Sequence, residues 1–178
     1  MSEPSEMAVC KHCGDVIMYC KCYEDVIKSI ESEKKNLLER AIELAVKHHK
    51  GQTDKAGKAY ILHPLRLMMA VNTNEEKIVA VLHDIVEDTD ITLEDLRNEG
   101  FSNTTVAAIE CVTKIDNEEY DAFIQRISKN PLAVNVKLAD LEDNMDLSRL
   151  PEVTDKDMER IKKYQKAKDF LLRISESG

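Results

Sequence analysis

The sequence predicts an all-α fold, a helical bundle with a short cysteine-rich segment at its N-terminus. Three observations predict it. Apolar residues recur every three or four positions through most of the chain, and no convincing run alternates apolar and polar residues as a half-buried strand does. Turn-formers are scarce, with 5 glycines and 4 prolines in 178 residues. Aromatic residues make up only 4% and tryptophan is absent, so the core has to be built from Leu, Ile, Val, Ala and Met, which suits packed helices.

Taken in order, residues 1–22 stand apart: a short polar tail leads into CKHCGDVIMYCKC, with Cys10, Cys13, Cys20 and Cys22. The second unit runs over 23–178. Ile27, Ile30, Leu37, Leu38, Ala41, Leu44, Ala45 and His48 follow helical spacing, which predicts one long helix or two consecutive ones ending near His49. Gly51 and Gly57 bracket a loop, and Pro64 opens the next helix, where its missing N–H costs little. Asn74 is placed as an N-cap, with Glu75 and Glu76 in the first turn. Ile78, Val79, Val81 and Leu82 carry that helix into the segment LHDIVED. Thr92, with Asp95 three residues on, caps the next helix, and Asn103, Asn117 and Thr154 are caps for later ones. Pro131 opens PLAVNVKLADLEDNMDL, which has an apolar helical face, while Cys111 lies in an apolar stretch and reads as core.

The formal charge of -9 argues against binding to nucleic-acid duplexes, which want a basic face. A small phosphorylated substrate stays open, because a bound cation can invert the local field. No apolar run approaches the roughly 18 residues of a membrane span, and charges and cysteines interrupt any signal-peptide core. A cytoplasmic protein away from membranes is expected, with thiols reduced or metal-bound. The sequence does not fix its oligomeric state, and a homo-oligomer is compatible with it.

The chemistry concentrates in LHDIVED. His83 and Asp84 are followed one turn later by Glu87 and Asp88. Successive helix positions diverge by about 100°, so the pair can reach one ion only where helices converge or a helix ends. These groups follow an apolar run, and burying them is costly without partners or metal. A solvated helix end explains the local pattern nearly as well. Two further segments weigh against it: HHKGQTDKAGKAYILHP, with His48, His49 and His63, and VKLADLEDNMDL, where Asp140 falls on the apolar face. His48 continues the apolar stripe and reads as packed. His63 precedes Pro64 and is expected to brace the loop rather than bind metal.

The ordered set His-x-Gly-Gln, Tyr-Ile-x-His-Pro, Leu-His-Asp-x-Val-Glu-Asp-Thr and Val-Lys-Leu-Ala-Asp-x-x-x-Asn-Met resembles the hydrolase domain of RelA/SpoT proteins and the stand-alone small alarmone hydrolases, within the HD phosphohydrolase superfamily. The resemblance runs from about Leu38 to Leu172. It implies a bound Mn²⁺ on His49, His83, Asp84 and Asp140, and removal of the 3′-pyrophosphate from guanosine tetra- or pentaphosphate. It implies that Glu87 and Asp88 handle the attacking water, that Asn144 contacts the nucleotide, and that Lys55 and Tyr60 shape its pocket. The residues themselves are consistent with this chemistry, since mixed imidazole and carboxylate donors suit a transition-metal ion. Another nucleotide or pyrophosphate ester is the alternative substrate, and a non-catalytic nucleotide sensor is the alternative role.

The match departs from the family at positions that read substrate. Asp54 stands where an Arg is usual, and Ala59 where a Pro is. Leu141-Glu142-Asp143 replaces Arg-Leu-His, putting carboxylate where attraction to phosphate is expected. The synthetase domain of long RelA/SpoT proteins is not expected after Gly178. At the N-terminus, Cys10-x-x-Cys13 and Cys20-x-Cys22 offer four thiolates, the donor set of a structural Zn²⁺ site; a redox-sensitive tail is the alternative.

Overall fold

A computed structural model describes residues 21–150 and 152–176. These residues are helical, with no strand among them beyond one isolated bridge between Thr53 and Ala59. The helices are α1 (Lys21–His48), α2 (Leu62–Ala70), α3 (Asn74–Leu82), α4 (Ile85–Asp88), α5 (Leu93–Asn98), α6 (Asn103–Val112), α7 (Tyr120–Ile127), α8 (Pro131–Met145) and α9 (Asp155–Glu176), with a 3-10 turn at Leu147–Arg149. The chain divides into two compact units, residues 1–36 and 37–178. In the first, the described residues continue α1 from Lys21, so the helix runs across the boundary expected between residues 22 and 23. Cys22 lies in its first turn, while Cys10, Cys13 and Cys20 fall outside the described residues, and with them the expected zinc segment.

In the second unit α3 is the axis of the core, packing against α2, α6 and α8. Val79, Ala80, Val81 and Leu82 are fully buried and Ile78 nearly so. A helix apolar on every side has to be enclosed, which explains why IVAVL shows no amphipathic stripe. Its start is fixed by a capping box one residue earlier than expected. The Thr73 hydroxyl accepts from the Glu76 N–H, and the Glu76 carboxylate accepts from the Thr73 N–H at 2.8 Å. The same shift applies to α6, where Ser102 rather than Asn103 is the cap. Thr92 with Asp95 and Thr154 with Asp157 cap α5 and α9 as expected. Asn117 caps nothing; it takes a left-handed turn conformation at φ 61, and Glu119 precedes α7 instead. The helix expected to open at Pro64 begins at Leu62, and Pro64 lies in its first turn, where backbone donors have no intrahelical partner anyway.

Glu76 does more than cap. It is buried, and besides the Thr73 and Asn72 N–H groups it accepts from the Asn135 amide at 2.7 Å, tying α3 to α8. Burial alone would raise its carboxyl, but these donors outweigh burial and hold it below the ordinary value. Glu76→Ala should therefore cost about 1–3 kcal/mol at neutral pH, because three donors lose their acceptor. The folded-state value is depressed, so the contribution is full above the unfolded value of about 4.3 and is lost as pH falls through the folded one. Urea unfolding at pH 7 and pH 3 should show the gap between wild type and variant narrowing at acid pH; a gap independent of pH contradicts this account.

Candidate active site

Three parts of the second unit converge on one buried place: the end of α1 with its following loop, the α3–α4 junction, and the middle of α8. The junction settles how two successive residues serve one site. α3 stops at Leu82, His83 is still helical, and Asp84 leaves the helix at φ -103, ψ 0 before α4 begins. The break redirects the Asp84 side chain toward that of His83, placing its Oδ2 2.9 Å from His83 Nε2.

His83 Nδ1 lies 2.8 Å from the Ala80 carbonyl. A carbonyl only accepts, so Nδ1 carries the hydrogen and Nε2 presents its lone pair inward. Nε2 is 4.0 Å from Asp140 Oδ1, and His63 Nε2 is 3.3 Å from the same oxygen. Donor atoms of His63, His83 and Asp140, all buried, lie within 4.8 Å of one another, close enough to share a metal ion. The expected ligands His49 and Asp84 are not part of that group; Asp84 adjoins it through His83, and His49 through Tyr60, whose ring centroid is 4.9 Å away. Its Nδ1 is 2.7 Å from Gln52 Oε1, which again leaves Nε2 facing inward. His49 Nε2 is buried without a hydrogen-bond partner among the described residues, while His83 Nε2, equally buried, has the Asp84 carboxylate oxygen 2.9 Å away. An orphaned buried nitrogen needs a reason. With the imidazole of His83 and the carboxylates of Asp84 and Asp140, it suits a divalent transition-metal ion in donor type.

The electrostatics point the same way. Asp140 is fully enclosed, which by itself would raise its carboxyl, yet Lys137, with Nζ 2.7 Å away, and His63 and His83 hold it far below the ordinary range. Lys137 is half-buried, with Nζ over the Phe123 ring, and the Asp140 charge keeps its ammonium protonated. Burial lowers His63, but hydrogen bonds to Asp140 and Asp143 overcome it and bring the ring up to about 9. Burial lowers His83 as well, and Asp84 and Asp140 raise it on balance. The carboxylates therefore favour a positive charge beside Nε2, whether a proton or a metal ion. Tyr60 donates its hydroxyl to Asp84 Oδ2, and burial and the Asp84 charge both make that hydroxyl a weaker acid.

The structure sorts the remaining expected residues. Glu87 is exposed and its carboxylate accepts from the Lys114 N–H at 3.0 Å, facing the α6–α7 connection. Asp88 feels the site: burial and Asp84 raise its carboxyl, while His49 and His83 act the other way. Asn144 donates to Asp140 Oδ1 at 2.5 Å and lines a cleft of about 340 Å³, together with Lys55, Tyr60, His63, Asp84 and Arg149. His48 is half-buried, and Cys111 is half-buried against the core. His63 differs from expectation. It is a buried neighbour of Asp140 with a donor atom in the cluster, because α2 begins early enough to turn it inward.

Sequence reasoning missed several participants. Gln52, already inside the His-x-Gly-Gln segment, joins His49 to the Asp88 carbonyl at 3.0 Å. Lys137, one turn before Asp140, was legible as an i,i+3 partner. Arg66, Arg149, Arg160 and Tyr164 reach the cleft or its carboxylates from elsewhere, and no local pattern marks them.

Comparison with known proteins accords with this geometry. No protein-family model matches the chain. Over 155 residues, 80% of the chain, it is 32% identical to a GTP pyrophosphokinase of Streptomyces coelicolor, of which the match covers 17%. Over 120 residues, 61% of the chain, it is 34% identical to a guanosine-3′,5′-bis(diphosphate) 3′-pyrophosphohydrolase of Aquifex aeolicus, again covering 17% of that protein. The chain thus spans about a sixth of the length of these relatives. Among solved structures, a metazoan ortholog of SpoT that hydrolyzes ppGpp superposes with a TM-score of 0.64 at 23% identity, over 77% of this chain and 85% of that one. That likeness establishes the shared helical fold.

Proposed function

We propose that this chain, whose sequence resembles the hydrolase region of RelA/SpoT proteins, is a metal-dependent phosphohydrolase that removes the 3′-pyrophosphate from guanosine tetra- or pentaphosphate. The observation that carries the reading is the buried, unpartnered His49 Nε2 together with His83 Nε2, which is set among the Asp84 and Asp140 carboxylates. The similarity to a 3′-pyrophosphohydrolase supplies the substrate.

In this reading His49, His83, Asp84 and Asp140 hold the cation, Mn²⁺ by resemblance, with His63 positioning Asp140. A divalent ion there acidifies water and offsets phosphate charge. The chain's own groups do the rest. Gln52 and the Ala80 carbonyl fix the His49 and His83 rings through Nδ1, and Tyr60 and Lys137 orient Asp84 and Asp140. Asp88 takes the proton of the attacking water. Lys55, Tyr60 and Asn144 line the cleft that receives the nucleotide. Purified protein with Mn²⁺ and guanosine tetraphosphate should yield guanosine diphosphate and inorganic pyrophosphate, one water consumed per turnover. Absence of pyrophosphate at saturating enzyme refutes the reading, and a panel of other nucleotides then identifies the alternative.

The hydroxyl of Tyr60 gives a direct test of the metal assignment. Tyr60→Phe keeps the ring against His49 and removes only the donor to Asp84. Mn²⁺ affinity should fall roughly 10- to 100-fold, the usual effect of losing a partner that orients a ligand. Calorimetric Mn²⁺ titration reads this directly, and an unchanged affinity removes Asp84 from the ligand set.

A further inference from the structure

The cleft contains a guanidinium that its neighbours do not satisfy. Arg149, in the 3-10 turn after α8, donates through Nη2 to the Asp143 carbonyl and to Asp143 Oδ2 at 3.1 Å. Asp143 has little need of it, since Arg66 donates to both its oxygens at 2.6 and 2.9 Å and His63 Nδ1 lies 2.7 Å away. The remaining nitrogens of Arg149 are loosely placed. Nη1 is 3.9 Å from Asp54 Oδ2 and Nε is 3.6 Å from Asp146 Oδ2, both beyond hydrogen-bond reach. Nε is also buried without a hydrogen-bond partner among the described residues.

The position of Arg149 matters as much as its bonding. Its Nη1 lies 3.9 Å from Asp54 Oδ2, and both residues line the cleft. Asp54 Oδ1 accepts from the Ala56 and Lys58 N–H groups, at 2.9 Å each, and so shapes the loop that carries Lys55. Arg149 is separated from Asp140 by one imidazole and one carboxylate, His63 and Asp143. It is therefore displaced from the place where a phosphate would be attacked, yet lies in the same cleft.

We propose that Arg149 is a specificity-determining residue that takes a second phosphate group of the nucleotide, remote from the pyrophosphate being cleaved, in exchange for its loose contacts with Asp54 and Asp146. A guanidinium matches phosphate by paired, charge-assisted hydrogen bonds, which carboxylates at 3.6 and 3.9 Å do not provide. The inference rests on the hydrolase reading above and assigns one residue of this chain to the phosphates that are not cleaved.

The test compares guanosine 3′,5′-bis(diphosphate) with guanosine 3′-diphosphate, which carries the same scissile group and lacks the 5′ phosphates. Arg149→Gln should raise KM for the first by roughly 10- to 100-fold with little change in kcat, and leave KM for the second unchanged. Arg149→Lys should recover part of the loss. Asp54→Asn keeps the loop-forming oxygen and frees the guanidinium, so KM for the bis(diphosphate) should fall. Equal effects on both substrates, or none on either, overturn the proposal, as does an Asp54→Asn variant with weakened binding of the bis(diphosphate). Calorimetric titration of both nucleotides with Mn²⁺ separates this from the hydrolase reading. A wild type that binds the bis(diphosphate) without cleaving it refutes hydrolysis alone, and the Arg149 variants then report by affinity. A wild type that does not bind it refutes both.

Discussion

Asp140→Ala should abolish turnover and destabilise the protein by about 3–5 kcal/mol, the cost of leaving a buried charge without its partner. Asp140 sits among Lys137, His63 and His83, with Asn144 on the same oxygen as His63. Its removal strands the Lys137 ammonium, which lies half-buried over an aromatic ring, and leaves His63 with Asp143 as its close carboxylate. The stability loss and the activity loss have different origins and can be separated. Lys137→Met combined with Asp140→Ala removes both charges, so urea unfolding should show stability recovered well beyond the single variant. Pyrophosphate release should stay at background in both. A double variant that is no more stable than Asp140→Ala contradicts the pairing.

Asp88→Asn should lower kcat by roughly 10²- to 10⁴-fold, the usual span for a general base, while Glu87→Gln changes it by a few-fold at most. The two carboxylates are adjacent in sequence and the resemblance assigns them jointly to the attacking water. The structure separates their surroundings. Glu87 is committed to the Lys114 N–H on the far connection, whereas the Asp88 carboxyl lies in the field of Asp84, His49 and His83. Both are exposed, so neither substitution should move stability by more than about 0.5 kcal/mol. Steady-state rates with matched Mn²⁺ titrations check the assignment, and a larger loss in Glu87→Gln than in Asp88→Asn reverses it.

Much of this was legible before any coordinates. Helical periodicity predicted α1 and α8, because each turns an apolar face to a common core. The α3 segment was legible through its flanking signals, since a helix buried on all sides shows no stripe. Cap positions slipped by one residue at Thr73 and Ser102, where Asn74 and Asn103 competed as equally good capping residues. At the site, the condition that His83 and Asp84 need a helix end to face one place is met by the break at Asp84. His63 braces Asp140 and Asp143 rather than the loop, because the helix starts before this residue and overrides the local bias of a residue preceding proline. Arg66 and Arg149 had no sequence signal at all, since their meaning lies in carboxylates 77 and 6 residues away that are brought together by folding.

The enclosure of IVAVL on every side has a further consequence. The segment Ile78–Leu82 is pressed against neighbouring helices, so its rotation and advance along its own axis are fixed by the core. One added or deleted residue before His83 would have to turn the whole of IVAVL against its neighbours or turn His83 and Asp84 out of place. The loop holding Lys55 is under no such constraint, being exposed at its tip. Evolution can therefore lengthen, shorten and recharge the loop at the cleft while the His83–Asp84 pair stays locked to the interior.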